Sequence, residues 1–167
     1  MANDISGNGL ILTLKASKTF PVGFVVSQFA DDSDPFDVSE INVAESAMGV
    51  NGDLVVWSKA VPTNIKISLI PGSVDDINLS ILLENNRVGK GKILRRDEIT
   101  MVAVYPSGRM VTLSKGALVS GPPFPGVAGS GRMKSNSYAF TFENVTGSPV
   151  GTALGIVSAA NGLGALL

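Results

Sequence analysis

The sequence predicts a mainly β fold, a β-sandwich or barrel of about eight strands with one flanking α-helix. Three observations support this. Short apolar segments punctuated by Gly, Pro, Asn and Asp fill the first two-thirds of the chain, only one stretch shows helical spacing, and no strand–helix–strand rhythm occurs.

Leu10 to Lys15 and Val22 to Phe29 are the first strand candidates, joined by the polar Ser17-Lys18-Thr19 into a hairpin. An acidic connection follows with Asp31, Asp32, Asp34 and Asp37, and strand character resumes over Val38 to Ala44. Asn51-Gly52 is the strongest turn signal, because both residues tolerate positive φ, so a hairpin forms there with Leu54 to Ala60 as its outgoing strand. Asn64 to Ile70 alternates Ile65, Ile67 and Leu69 with Lys66 and Ser68, as a half-buried strand does.

Pro71-Gly72-Ser73 stops that strand and opens the helix. Ser73 is the predicted N-cap, and Asp75 and Asp76 lie in the first turn, where the helix dipole favours negative charge. Val74, Ile77, Ile81 and Leu82 form the apolar stripe expected to face the core, with Arg87 in the last turn and Gly89 just beyond. Strands return at Glu98 to Tyr105 and Arg109 to Leu113 around the Pro106-Ser107-Gly108 turn. A Gly/Pro-rich excursion spans Gly116 to Gly131, and Ser137 to Glu143 alternates Tyr138, Phe140 and Phe142 with Ala139, Thr141 and Glu143 as a last strand.

Composition removes several function classes. The chain lacks cysteine and histidine, so disulfides, thiolate zinc sites and a Ser-His-Asp triad are excluded. Net charge is −1, without the basic field of a nucleic-acid binder. The N-terminus has neither the basic nor the apolar region of a secretory signal, so folding in a cytoplasm is expected. Charged residues make up 16 % of the chain against a usual figure of about 25 %, which favours assembly over an isolated sphere.

The acidic loop lacks the glycine and closing glutamate of a calcium loop, so it reads as solvated or interfacial. Arg87, Lys90, Lys92, Arg95 and Arg96 form a basic cluster that follows a helix instead of opening one, so it is no phosphate cradle and fits an acidic loop on a partner. Trp57, on a strand, reads as core or interface. No catalytic, metal or cofactor site is expected.

Residues 144–167 carry no charge and form an arm of the same domain as residues 1–143. Its glycines, its proline and the absence of basic anchors make it a poor membrane span; the protein's own core or a neighbouring subunit is the expected home. Two readings of function stand: a self-assembling structural protein, and a monomeric β-domain with a binding groove beside the helix.

The stretches Val26-Ser-Gln-Phe-Ala-Asp-Asp-Ser-Asp-Pro-Phe-Asp37, Ala47-Met-Gly-Val-Asn-Gly-Asp-Leu-Val-Val-Trp-Ser-Lys59, Pro71-Gly-Ser-Val-Asp-Asp76 running on to Gly89, and Gly131-Arg-Met-Lys-Ser-Asn-Ser-Tyr-Ala-Phe-Thr-Phe-Glu143 resemble the tail tube proteins of contractile-tailed bacteriophages. The resemblance covers about Leu10 to Glu143 and extends to the tube proteins of type VI secretion systems. Related sequences also carry the label tail fibre, which this short, non-repetitive chain does not fit physically.

The resemblance implies hexameric rings stacked into a tube that conducts the genome, with sheath, baseplate and terminator proteins as partners, transient passage of DNA, and a place in the virion after assembly in the host cytoplasm. A tube-initiator ring at the baseplate is the alternative it leaves open. It also implies subunit contacts at Asp31, Asp32, Asp34, Asp37, Met48, Asn51, Gly52, Asp53, Arg95, Arg96, Leu154, Ile156, Leu166 and Leu167. The Asn51-Gly52 hairpin is then expected to reach the next ring.

Overall fold

The computed structural model describes residue 7, residues 9–92 and residues 96–148. Among these residues nine strands and one helix run in the order β1 (Ile11–Ala16), β2 (Phe20–Val26), β3 (Phe36–Val38), β4 (Ala44–Met48), β5 (Leu54–Ser58), β6 (Thr63–Leu69), α1 (Val74–Asn86), β7 (Ile99–Val104), β8 (Met110–Ser120) and β9 (Asn136–Ser148). Seven strands form one antiparallel sheet in the order β2-β1-β7-β8-β9-β6-β3, while β4 and β5 pair only with each other.

Strict alternation makes one face of this sheet the core. Leu12, Leu14 and Ala16 of β1, Ile99, Met101 and Ala103 of β7, Ile65, Ile67 and Leu69 of β6, and Tyr138, Phe140 and Phe142 of β9 are buried in a single cluster. Each such side chain contributes on the order of 1.5–3 kcal/mol relative to exposure. The sheet curls into a half-barrel that closes at one rim. Leaving β2, the chain crosses to the far side of the sheet, where Ala30 donates its N–H to Ser68 (3.0 Å) and Ile70 donates to Gln28 (3.1 Å).

Helix α1 sits at this seam, anchored by carboxylates. Asp75 accepts the Ser27 and Gln28 amides (2.8 and 3.0 Å), and the Gln28 side chain accepts the Val74 amide (3.1 Å). Asp76 accepts from the Asn136 side chain and the Tyr138 hydroxyl (both 2.8 Å) and from the Gly72 amide (3.0 Å). Because the Tyr138 proton goes to Asp76, Ser80 is the donor in its 2.9 Å bond with that hydroxyl. At the other end of the helix Asp97, 1 % exposed, accepts from the Lys18 and Thr19 amides, the Thr19 hydroxyl and the Asn86 amide group.

The helix therefore faces the core by a different side than its apolar spacing predicts. Asp75, Asp76, Leu79 and Leu82 are buried, whereas Val74, Ile77 and Ile81 are 67, 51 and 46 % exposed. Hydrogen-bonded carboxylates set its rotation, since turning the apolar stripe inward would carry Asp75 and Asp76 out to solvent and leave the Ser27 and Gln28 amides, Asn136 and the Tyr138 hydroxyl without their acceptors. Ser73 caps the helix as expected, accepting the Asp76 amide, and Arg87 serves as C-cap in extended conformation without a glycine.

Several element ends also differ. Expected strand 38–44 is a link between the short β3 and β4. Strand β8 passes through Gly116 to Ser120, so the Gly/Pro-rich excursion begins only at Gly121. A bulge permits this: Lys115 takes a left-handed conformation (φ 53°), and Gly116 lies flat against the Phe142 ring, where a Cβ would overlap it. Strand β9 continues to Ser148 by pairing with Met110 to Ser114, so the uncharged segment begins as β-strand. The remainder of the arm lies outside the described residues.

Gly116→Ala should lower stability by about 1–3 kcal/mol through this overlap, read as a fall in Tm; an unchanged Tm refutes the packing argument. Asp97 supplies a pH test. Burial alone raises its pKa, but the hydrogen bonds from Thr19, Asn86 and the Lys18 and Thr19 amides outweigh burial and hold the carboxyl below its ordinary range. A depressed folded pKa stabilises the fold above the unfolded value, roughly 3.9, and that stabilisation is lost as pH falls through the lower folded value. Asp97→Asn should therefore cost about 1–3 kcal/mol near neutral pH, with the deficit shrinking in acid; a deficit independent of pH would contradict this.

Candidate assembly surface

Hairpin β4–β5 stands apart from the half-barrel. Its root is tied by the Lys59 amide to Val43 (3.0 Å) and by an exposed Lys59–Glu45 ion pair (2.7 Å). Cross-strand register places Ser46 opposite Val56 and Met48 opposite Leu54 on one face, and Glu45 opposite Trp57 and Ala47 opposite Val55 on the other. Every residue of both strands is exposed, Met48 and Leu54 by 67 and 65 %. Two-stranded hairpins are marginal alone in water, and open edges with apolar side chains on both faces invite a partner.

The hairpin turn holds Met48, Asn51, Gly52 and Asp53 together as expected. Gly52 adopts φ +84°, its N–H donates to Gly49 (2.9 Å), and the Gly49 N–H donates to Asp53 (2.7 Å). The acidic loop makes its contacts elsewhere within the chain. Asp31 pairs with Arg132, and Asp32 accepts from the Ser135 hydroxyl. The hydrogen bond from Arg132 holds the Asp31 carboxyl below its ordinary range. Asp34 is exposed in the loop, and Asp37 lies on β3 opposite Lys66. Among the described residues no group of three or more acidic side chains is placed to hold a metal ion.

Arg96 lines an open groove of about 880 Å³ with Val61, Pro62, Lys115, Val119 and Glu143. Arg95, Leu154, Ile156, Leu166 and Leu167 lie outside the described residues. The core-opposed face of the sheet carries Thr100 and Val102 of β7, Thr112 and Ser114 of β8, and Thr141 of β9. Charges flank these positions: Lys15 lies opposite Thr100, Lys66 opposite Ala139, and Lys115 and Glu143 share the groove with Thr141.

Sequence reasoning missed Val55, Val56 and the helix stripe Val74, Ile77 and Ile81 as surface. The run Leu54-Val55-Val56-Trp57 carried the signal: four consecutive apolar residues cannot alternate, so a strand containing them is apolar on both faces.

The fold is similar to those of chains from contractile injection systems. A chain of the anti-feeding prophage baseplate superposes with a TM-score of 0.52 at 11 % identity, over 90 % of this chain and 99 % of that one. A chain of the PVC sheath–tube complex in its extended state gives 0.52 at 14 % identity, over 90 % and 95 %. A chain of the PVC sheath/tube terminator gives 0.50 at 11 % identity, over 89 % and 99 %. No curated protein matches by sequence. The family model described as tail fiber protein gp32 matches residues 3–146, and the chain belongs to that family.

The environment of Trp57, the one tryptophan, reports on this surface. Its emission should be that of a half-exposed indole in dilute protein and shift to the blue when concentration drives association; emission unchanged on association would place the hairpin away from the contact.

Proposed function

We propose that this protein is a structural, non-enzymatic virion protomer that closes into hexameric rings, stacked as the inner tube of a contractile phage tail. The observation that carries this reading is the β4–β5 hairpin, apolar on both faces and, among the described residues, covered on neither. Such a hairpin can pair with a different surface of a neighbouring protomer, and heterologous contacts of that kind generate closed rings where the rotation closes and open stacks where it does not. The shared fold with chains of sheath–tube, terminator and baseplate complexes supports assembly with sheath, terminator and baseplate proteins of its own tail.

Within such a tube the Thr/Ser/Val positions of β7, β8 and β9, with Lys15, Lys115 and Glu143 beside them, suit a channel wall of sparse, mixed charge. DNA must slide there, and a wall whose few cations are interspersed with an acid offers its phosphates little release of counterions and therefore little grip. The uncharged segment after β9 serves as an interface arm of the same domain, and Asn51-Gly52 with Asp53 at the hairpin tip reaches the next ring. No cofactor enters this role. Equal likeness to a baseplate chain gives a second reading, a tube-initiator ring.

Negative-stain microscopy of the purified protein distinguishes these readings: long uniform tubes support the first, isolated rings the second, and a persistent monomer neither. Val55→Asp and Val56→Asp, on opposite hairpin faces, should each abolish tube growth while changing protomer stability by no more than about 0.5 kcal/mol. Tubes formed by either variant would show that face to be free in the assembly.

A further inference from the structure

The hairpin tip joins two features with a chemical consequence. Asn51 is exposed, and the residue after it is a glycine whose missing Cβ would meet nothing within 4 Å. Folded proteins protect asparagine by holding the following amide nitrogen away from the side-chain carbonyl carbon. Here the Gly52 nitrogen is held by its hydrogen bond to Gly49, beside the Gly49-to-Asp53 bond, so it becomes free to attack when the turn opens locally. The strands below it are exposed along their whole length, so local opening is governed by the hairpin and not by the core.

We propose that Asn51 is a site of spontaneous deamidation that ages the free protomer. The Gly52 nitrogen, after loss of its proton to solvent base, forms a bond to Cγ of Asn51, and the Nδ2 group leaves as ammonia to give a cyclic imide. Water then opens the imide at either carbonyl. Cleavage of the new N–Cγ bond leaves an ordinary aspartyl residue, and cleavage of the original peptide bond leaves an isoaspartyl residue with one more backbone carbon. The net change is amide plus water to acid plus ammonia.

Either product places a new carboxylate two residues from Asp53, among Met48, Val50 and Leu54, which are 67, 107 and 65 % exposed. The isoaspartyl form also lengthens the loop and breaks the turn geometry that Gly52 completes. Charge at an apolar contact carries a desolvation cost, so the modified protomer is excluded from assemblies that bury this tip. This second consequence rests on the proposed role of the hairpin; the covalent chemistry does not.

Peptide mapping by mass spectrometry tests both. The full-length protein, kept dilute, is incubated in mildly alkaline and mildly acidic buffer, and position 51 is followed beside the other Asn-Gly pairs, Asn8-Gly9 and Asn161-Gly162. Position 51 should convert progressively and faster in alkaline buffer, whereas Asn51→Gln should block conversion and Gly52→Ala slow it severalfold. An unmodified position 51, under conditions that convert a free peptide of residues 46–56, overturns the proposal. Aged protein should be depleted of modified chains in its assembled fraction, and assembled protein should convert more slowly than free protein. Conversion at 51 with equal rates in both fractions would instead overturn the assembly role of the tip and leave the chemistry standing.

Discussion

The protomer depends on the seam where the curled sheet meets itself. Backbone hydrogen bonds between the segment after β2 and the end of β6 close the rim, and the buried Asp75 carboxylate binds the same segment to the helix N-terminus. Without this closure the apolar face of β1, β7, β8, β9 and β6 would have neither curvature nor a lid. Asp76 and Asp97 repeat the device, joining the helix to β9 at one end and to the β1–β2 turn at the other.

Carboxylates in such positions tie distant segments of the fold together. Asp76 and Asp97 have both oxygens accepting from amides, hydroxyls or side-chain amide groups of the chain itself, and Asp75 has one oxygen accepting two backbone amides, which is the condition for burying charge at acceptable cost. Tyr138 shares in this: its burial raises the phenol pKa, and its proton remains committed to Asp76. The fold meanwhile leaves apolar groups uncovered at two places. On the hairpin these groups occupy both faces, and on the helix they form the stripe displaced outward by the aspartates.

Much of the strand pattern was legible in sequence because burial on one face imposes a period of two. Leu12/Leu14/Ala16, Ile65/Ile67/Leu69 and Tyr138/Phe140/Phe142 all declare their inward face in this way. Asn51-Gly52 likewise declared a hairpin through local backbone preference. The residues that resemble tail tube proteins lie in a fold similar to that of the injection-system chains, and the family to which the chain belongs is described as tail fiber protein gp32.

Other features followed from relations between distant segments, which no local pattern records. Helical spacing marked Val74, Ile77 and Ile81 as inward, yet carboxylate bonds to Ser27, Gln28 and Asn136 rotated the helix against that pattern. The Asp31 and Asp32 side chains found Arg132 and Ser135 about a hundred residues away, a pairing that charge composition alone could not select. Extension of β8 through Gly116 was settled by the Phe142 ring against which that glycine packs. Local preference and alternation thus determined which segments are strands, turns and helix, because those depend on near neighbours; tertiary structure decided which apolar faces remain exposed, because that depends on where buried charges find their donors.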